Sequence, residues 1–522
     1  MSTKKMFNKK SRTSNILKTS GVGMVSTAFS TLLAFAYRTV FIYILSASYL
    51  GIEGLFSNIL KMLSLAELGI STAIVYRFYE PICKNDVEKV GQLMKFFKVV
   101  YAAIATIIMA VGLSILPFLN VFIKDASEVP ADINLSLVYV LYLLMQVSTY
   151  LFSYKMTILT ADQKQYMMSI FNVVVKFISS VAQIVVLVIW KNFTLSLILN
   201  IIVTLAANII MSAYVTRQYK EVFAVKTTLP KNERAQIYKD TFATLCHKIG
   251  GIVANGTDSI IISSFIGIAV AGIYSNYHMI IYSIIVIMQQ VTGNFTSSLG
   301  NAAVVKTGDE QFSDYRKLLF ATLWISSYVT TCVYVLIDKF MLIWTQNTEM
   351  LLDEYTVILI AIMLFTDIIR YITTSYINGN GLFVKDKIRP LIEAGINLLV
   401  SIIAVKKIGL AGVFVGTIVS RICTTMWREP YLVFKHVFNK STKHYWKTVG
   451  AFFMCTVIIG GALKIAFAYI FTGNSIITWI AEGLGCTVIF NLILLGVFRK
   501  NSDFEFFKNK VFSVVKKIKK SK

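Results

Sequence analysis

The sequence predicts an all-α, polytopic membrane protein: about 14 transmembrane helices, in two six-helix lobes related by a pseudo-twofold repeat, plus two C-terminal helices. Three observations carry this. The 522 residues are 56% hydrophobic and only 15% charged, with a mean hydropathy of +0.67. A soluble domain needs more charge to cover its surface, whereas lipid tolerates apolar faces once helices satisfy every backbone polar group. The apolar residues come in runs of about 20, the length that crosses hydrocarbon. Finally, the net charge of +24 resides in short loops and tails between those runs, a pattern that sets topology and removes nucleic acid as the partner.

In chain order, a basic leader, MSTKKMFNKKSRTSNILK, precedes the first run; it is too long and basic for a cleaved signal and reads as a retained cytoplasmic segment. Helices are predicted at 20–46, 50–78, 93–117, 133–157, 168–190 and 193–216. A basic segment, 217–240, follows. Further helices are predicted at 241–266, 268–299, 318–337, 354–378, 388–405 and 410–434, then at 447–471 and 475–498. Basic loops after the second, sixth and twelfth spans belong inside. Acidic loops with Asp125, Glu128 and Asp132, and with Glu349, Asp353 and Glu354, belong outside. The first acidic group reads as a solvated, topology-setting face. Both termini are then expected in the cytoplasm.

Cutting the chain at 217–240 exposes a repeat. RTVFIYILSASYLGIEGLFSN (38–58) aligns with DSIIISSFIGIAVAGIYSN (258–276), Gly54 with Gly272 and Asn58 with Asn276, which brings Arg38 opposite Asp258; 161–177 likewise resembles 384–400. The predicted organisation is an N-terminal lobe 1–216, a linker 217–240, a C-terminal lobe 241–434, and helices thirteen and fourteen with a basic tail over 435–522. Six-helix repeats keep one orientation in the bilayer, so a binding site is expected between them.

Charges inside the spans mark that site, because such groups normally face a bundle interior or a wet cavity. At 1.5 Å per residue, Lys61, Lys176 and Arg421 lie about 14–16 Å from the nearer end of their spans, close to the midplane. Arg38 and Arg370 flank that depth. The buried acids are Glu67, Asp258, Asp367 and Glu393. The basic lean points to an anionic ligand, with Arg38, Lys61, Arg421, Arg370 and Lys176 as its candidates and Asp258, Glu67 and Asp367 as gate or ion-coupling candidates. Simpler readings stay open: Asp367 and Arg370 as an i,i+3 pair, Lys61 and Lys176 snorkelling to an interface, Arg38 paired with Asp258.

Catalytic and metal chemistry find no support. The six cysteines and four histidines are scattered, without metal-ligand spacing or a disulfide framework. No P-loop and no H-E-x-x-H occurs, and the outer loops are short for acid/base machinery. No catalytic residue, metal or cofactor is predicted.

The segments YLGIEGLFSNILKMLSLAELGISTAIVYRFYEPI (49–82), SSLGNAAV (297–304) and VKDKIRPLIEAGINLLVSIIAVKKIGLAGVFVGTIVSRICTTMWREPYLVFKHVF (384–438) resemble the bacterial polysaccharide repeat-unit flippases. These are the O-antigen and capsule exporters of the multidrug/oligosaccharidyl-lipid/polysaccharide (MOP) superfamily. The resemblance implies two six-helix lobes around a cavity and an undecaprenyl-pyrophosphate-linked oligosaccharide carried across the bacterial cytoplasmic membrane. Its expected partners are that glycan, membrane lipids, and a polysaccharide polymerase with its assembly proteins. Related lipid II flippases also have fourteen spans, the last two forming a groove for the lipid tail; multidrug cation antiporters are the other relatives. Arg38 is the best positional match to a cavity-lining basic residue, whereas Lys61 and Arg421 are assigned from depth. Coupling to protons, to sodium or to membrane potential alone stays open.

Overall fold

The computed structural model describes residues 12–64 and 77–506. Every long element is a helix. The N-terminal compact unit, Met1–Ser275, contains α1 (Arg12–Ile44), α2 (Ala47–Leu63), α3 (Val87–Ile115), α4 (Leu135–Ala161), α5 (Gln165–Trp190), α6 (Phe193–Gln218), α7 (Lys231–Phe265) and the first turns of α8 (Ile268–Val305). The second unit, Asn276–Lys522, holds the rest of α8 with α9 (Gly308–Thr345), α10 (Glu354–Gly379), α11 (Arg389–Ile408), α12 (Leu410–Cys423), α13 (Thr425–Val433), α14 (Lys443–Ile470) and α15 (Ile476–Phe498).

Helix starts are written in the sequence. Asp86, Asn134, Asn192 and Asp353 each accept a backbone N–H from the first turn of α3, α4, α6 and α10, and Thr307 with Glu310 forms a capping box on α9. These caps satisfy donors that the first turn leaves unpaired. Left-handed residues end several helices: Lys191 (φ 50°) after α5, Gln346 (φ 52°) after α9, Gly409 (φ 61°) after α11.

Eleven helices are long and apolar enough to cross a membrane among the described residues; this is a multi-pass membrane protein. The three other predicted spans fall on α2, α7 and α11. The last carries Arg389, Glu393, Lys406 and Lys407 within 20 residues, and Glu67 of the second predicted span lies outside the described residues. The twelfth predicted span is broken: α12 stops at Cys423, Thr424 leaves helical geometry (φ −128°, ψ −82°), and α13 restarts at Thr425. Pro430 within α13 removes a backbone donor, and one π turn follows over Phe434–Phe438.

The two units repeat a packing order. In the first, α3 packs on α4, α4 on α6 and α5 on α6; in the second, α9 packs on α10, α10 on α12 and α13, and α11 on α12. In the first unit α1 also lies on α5 and α2 on α7, so the compact division falls inside α8, downstream of 217–240. In the second, α14 and α15 pack on α9, around a core in which Tyr315 meets Tyr376 edge-on at 5.1 Å. The first turns of α2 and α8 touch backbone to backbone. A Cβ on Gly51 would fall 2.0 Å from the Ile268 carbonyl oxygen, and one on Gly272 would fall 1.9 Å from that of Ala47.

The acidic loop is more than a solvated face. Asp125 accepts the Ser127 backbone N–H at 2.8 Å, which holds its carboxyl below the usual carboxylate value. Glu128, however, accepts the Ala269 N–H at 3.1 Å and so caps α8, and Asp132 accepts the Tyr49 hydroxyl of α2. Proximity in the fold, invisible in the loop's composition, gives these two acids structural work.

Candidate functional site

The predicted charges fall into two groups of different character. In the N-terminal unit, Arg38 sits on α1 six residues before its end, about 9 Å along the axis. Its Nη1 lies 3.7 Å from Oε2 of Glu53 on α2, with side-chain exposures of 16% and 27%. Both atoms are shielded from solvent and neither makes a hydrogen bond. The ion pair of Arg38 is therefore with Glu53, a residue of the next helix, where the repeat alignment suggested Asp258. Tyr37 and Tyr142 share the Glu53 and Arg38 field. Asp258 is buried on α7, seven residues before its end, against six for Arg38 on α1.

Lys61 occupies the last turn of α2 and is exposed. Lys176 is half-buried on α5, next to Phe177, whose ring lies 6.3 Å from that of Phe29 on α1. Neither lysine has an ion pair among the described residues.

In the second unit the arginines are already occupied. Arg421 Nη2 lies 2.9 Å from Asp367 Oδ1, and Nη1 donates to the Met363 carbonyl and the Thr366 hydroxyl, both at 3.3 Å. Arg370 donates to Glu429 at 3.2 Å and stands 4.0 Å from Glu393. Arg389 reaches Asp386 at 2.7 Å, Glu393 at 2.8 Å and Glu429 at 3.0 Å. Thr374 donates to the second Glu429 oxygen at 3.0 Å. Three arginines thus meet four carboxylates at the break between α12 and α13. A cavity of about 10 Å³ beside it, lined by Arg370, Arg421, Thr373, Thr425 and Glu429, has room for roughly one water.

The i,i+3 reading of Asp367 with Arg370 is corrected: Asp367 takes Arg421 from another helix, and Arg370 takes acids of α11 and α13. Ion pairs this well coordinated make Arg370 and Arg421 poor ligands for a passing anion in this conformation. Glu53, Arg389 and Glu429 escaped the sequence reading. The signals were present: Arg389 precedes Glu393 by one helical turn, and Glu429 is the sole acid of 410–434.

No family model matches the sequence, and no curated protein matches it. Solved structures do. A lipid II flippase, MurJ, in an inward closed conformation superposes with a TM-score of 0.63 at 16% identity, covering 91% of this chain and 99% of that one. An inward-facing multidrug resistance MATE transporter of the MOP superfamily gives 0.60 at 14% identity, covering 79% and 98%. An outward-facing MATE transporter gives 0.52 at 14%, covering 81% and 95%.

The chain shares its fold with these solved structures.

Within that fold, the two units present opposite chemistry. In the second, Arg370, Arg389 and Arg421 are paired with carboxylates of the same unit, whereas in the first Arg38 meets Glu53 only at 3.7 Å and Lys61 and Lys176 have no ion pair among the described residues. Among the described residues no cluster of three or more His, Cys, Asp or Glu side chains is placed to hold a metal.

Proposed function

We propose that the protein is a transporter and not an enzyme: a flippase that moves undecaprenyl-pyrophosphate-linked oligosaccharide repeat units across the bacterial cytoplasmic membrane by alternating access, for surface polysaccharide assembly. The observation that carries this reading is Arg38. An arginine within an apolar helix costs roughly 2.5–3.5 kcal/mol on insertion scales, and a carboxylate 3.7 Å away without a hydrogen bond offsets only part of that. A pyrophosphate completes the compensation, since its oxygens fit the guanidinium fork bidentately, while Lys61 and Lys176 supply further positive charge.

The electrical balance favours export. Two negative charges moved fully outward gain roughly 4.6 kcal/mol per 100 mV with the interior negative, so export on membrane potential alone is energetically allowed, alongside proton or sodium antiport. In this reading Arg370 and Arg421 organise the second lobe and engage the anion only where their carboxylates are released; Asp258, Glu67 and Asp367 remain the gate or coupling candidates. The lobes are 1–216 and 241–434, with both termini cytoplasmic.

A lipid II flippase is the second reading, favoured by the near full-length superposition on MurJ; its substrate carries the same pyrophosphate. Expression in two hosts separates them. Restored surface polysaccharide in a strain lacking its repeat-unit flippase supports the first reading, and rescue of growth only in a strain depleted of its lipid II flippase supports the second. Rescue of neither, with export of cationic drugs instead, overturns both.

A further inference from the structure

We infer that Glu53 is a tethered competitor for the anion site: it occupies the Arg38 guanidinium when the site is empty and is displaced by the phosphate oxygens of the substrate. This rests on the reading of Arg38 as the anion ligand and adds a second residue to it.

The geometry of the pair is what distinguishes it. Arg389 and Arg421 meet their carboxylates at 2.7–3.0 Å, within hydrogen-bond range. Arg38 and Glu53 stop at 3.7 Å, and the facing atoms, Nη1 and Oε2, are both sealed from solvent with their hydrogen-bonding capacity unused. Such a pair keeps Coulomb attraction and forgoes the directional bond. An unpaired buried donor is costly, so a ligand able to supply short, charge-assisted bonds displaces Glu53 readily. Once that ligand leaves, Glu53 is near enough to neutralise the guanidinium again, and the membrane never contains an isolated arginine charge.

The backbone confines this exchange to side chains. Glu53 stands two residues beyond Gly51, where α2 presses against the start of α8 with no space for even a Cβ. The helix carrying Glu53 is held, and rotation of the Glu53 side chain is the freedom that remains. Glu53 is accordingly a positioning residue, and its removal strengthens anion binding while slowing the return to the empty state.

Binding of undecaprenyl pyrophosphate to the purified full-length protein in detergent tests this, with wild type, R38A, E53Q and E53D compared. E53Q is expected to bind about tenfold more tightly than wild type, equivalent to about 1.4 kcal/mol. E53D, which draws the carboxylate back by one methylene, is expected to shift the same way by less and serves if E53Q does not fold. R38A is expected to lose binding. If R38A loses binding and neither Glu53 variant binds more tightly than wild type, the competitor role is overturned while Arg38 keeps its own. If R38A binds like wild type, Arg38 is not the anion ligand.

Discussion

Arg421 of α12 and Asp367 of α10 are joined at 2.9 Å, Nη2 to Oδ1, with side-chain exposures of 7% and 13%. The pair ties two helices of the second unit at the point where the membrane-depth charge of each would otherwise be unmatched. Breaking a buried pair from one side typically costs about 3–5 kcal/mol, whereas replacing both partners by apolar groups is often neutral. R421A is therefore expected to lower the thermal midpoint of the purified protein sharply, and the double variant R421M/D367L to recover most of it. Stability of R421A equal to wild type would show that Asp367 finds another partner.

Arg38→Ala is expected to abolish export while protein level and membrane insertion stay normal, because removing an intramembrane charge favours insertion. Arg38→Lys should retain part of the activity, keeping the charge and losing the fork. Export by R38A at the wild-type rate, read by surface polysaccharide staining, removes Arg38 from the transport path.

Gly51→Ala and Gly272→Ala each place a methyl about 2 Å from a carbonyl oxygen of the facing helix. Overpacking of this kind costs about 1–3 kcal/mol, and more where backbone must move. Both variants are expected to accumulate at lower levels, with Gly54→Ala, whose nearest neighbour would be 4.0 Å away, as the tolerated control. Equal accumulation of all three would mean that α2 and α8 separate freely.

The acidic loop 125–132 divides by contact. Alanine at Asp125 is expected to leave export unchanged, because that carboxylate only caps its own turn. Alanine at Glu128 should reduce it, because the cap on Ala269 is lost. Indistinguishable export by the two variants would return Glu128 to the role of a solvated charge.

Single-cysteine labelling at Ser127 and Asn347 is expected from outside the cell, and at Lys231 only after permeabilisation. Labelling of Lys231 in intact cells reverses the orientation.

The sequence made most of the helices legible because eleven are long and apolar and several are capped by residues whose chemistry is local. The positions of Arg38 and Asp258 along the chain were legible too: they stand six and seven residues before the ends of α1 and α7. Partner choice was not. Asp367 and Arg370 have helical spacing suited to a pair, yet each is drawn to a charge from a distant segment, since burial rewards the best-satisfied network and not the nearest neighbour in sequence. The break at Thr424 was hidden for a related reason: 410–434 has the hydropathy of one span, and its interruption is stabilised by Thr424, whose hydroxyl donates to the Ser420 carbonyl at 2.6 Å, and by Trp427, whose indole N–H donates to that of Cys423 at 2.7 Å.

Helix α9 runs for 38 residues without a proline or an internal glycine, about 57 Å at helical rise, nearly twice the hydrocarbon thickness. Lacking proline and internal glycine, two of the usual sources of kinks, it is one continuous helical rod. A tilt of about 5° about one end sweeps the other through roughly 5 Å, enough to carry a side chain from one partner to the next. Near its start Arg316 grips Asp503 at 3.0 Å; near its far end Asp338 binds Lys464 of α14 at 3.1 Å, and Lys339 binds Glu482 of α15. The C-terminal segment is thus tied to this rod near both of its ends, by Asp503 just past α15 and by Lys464 of α14 with Glu482 of α15, so that a tilt of α9 would carry these attachments with it.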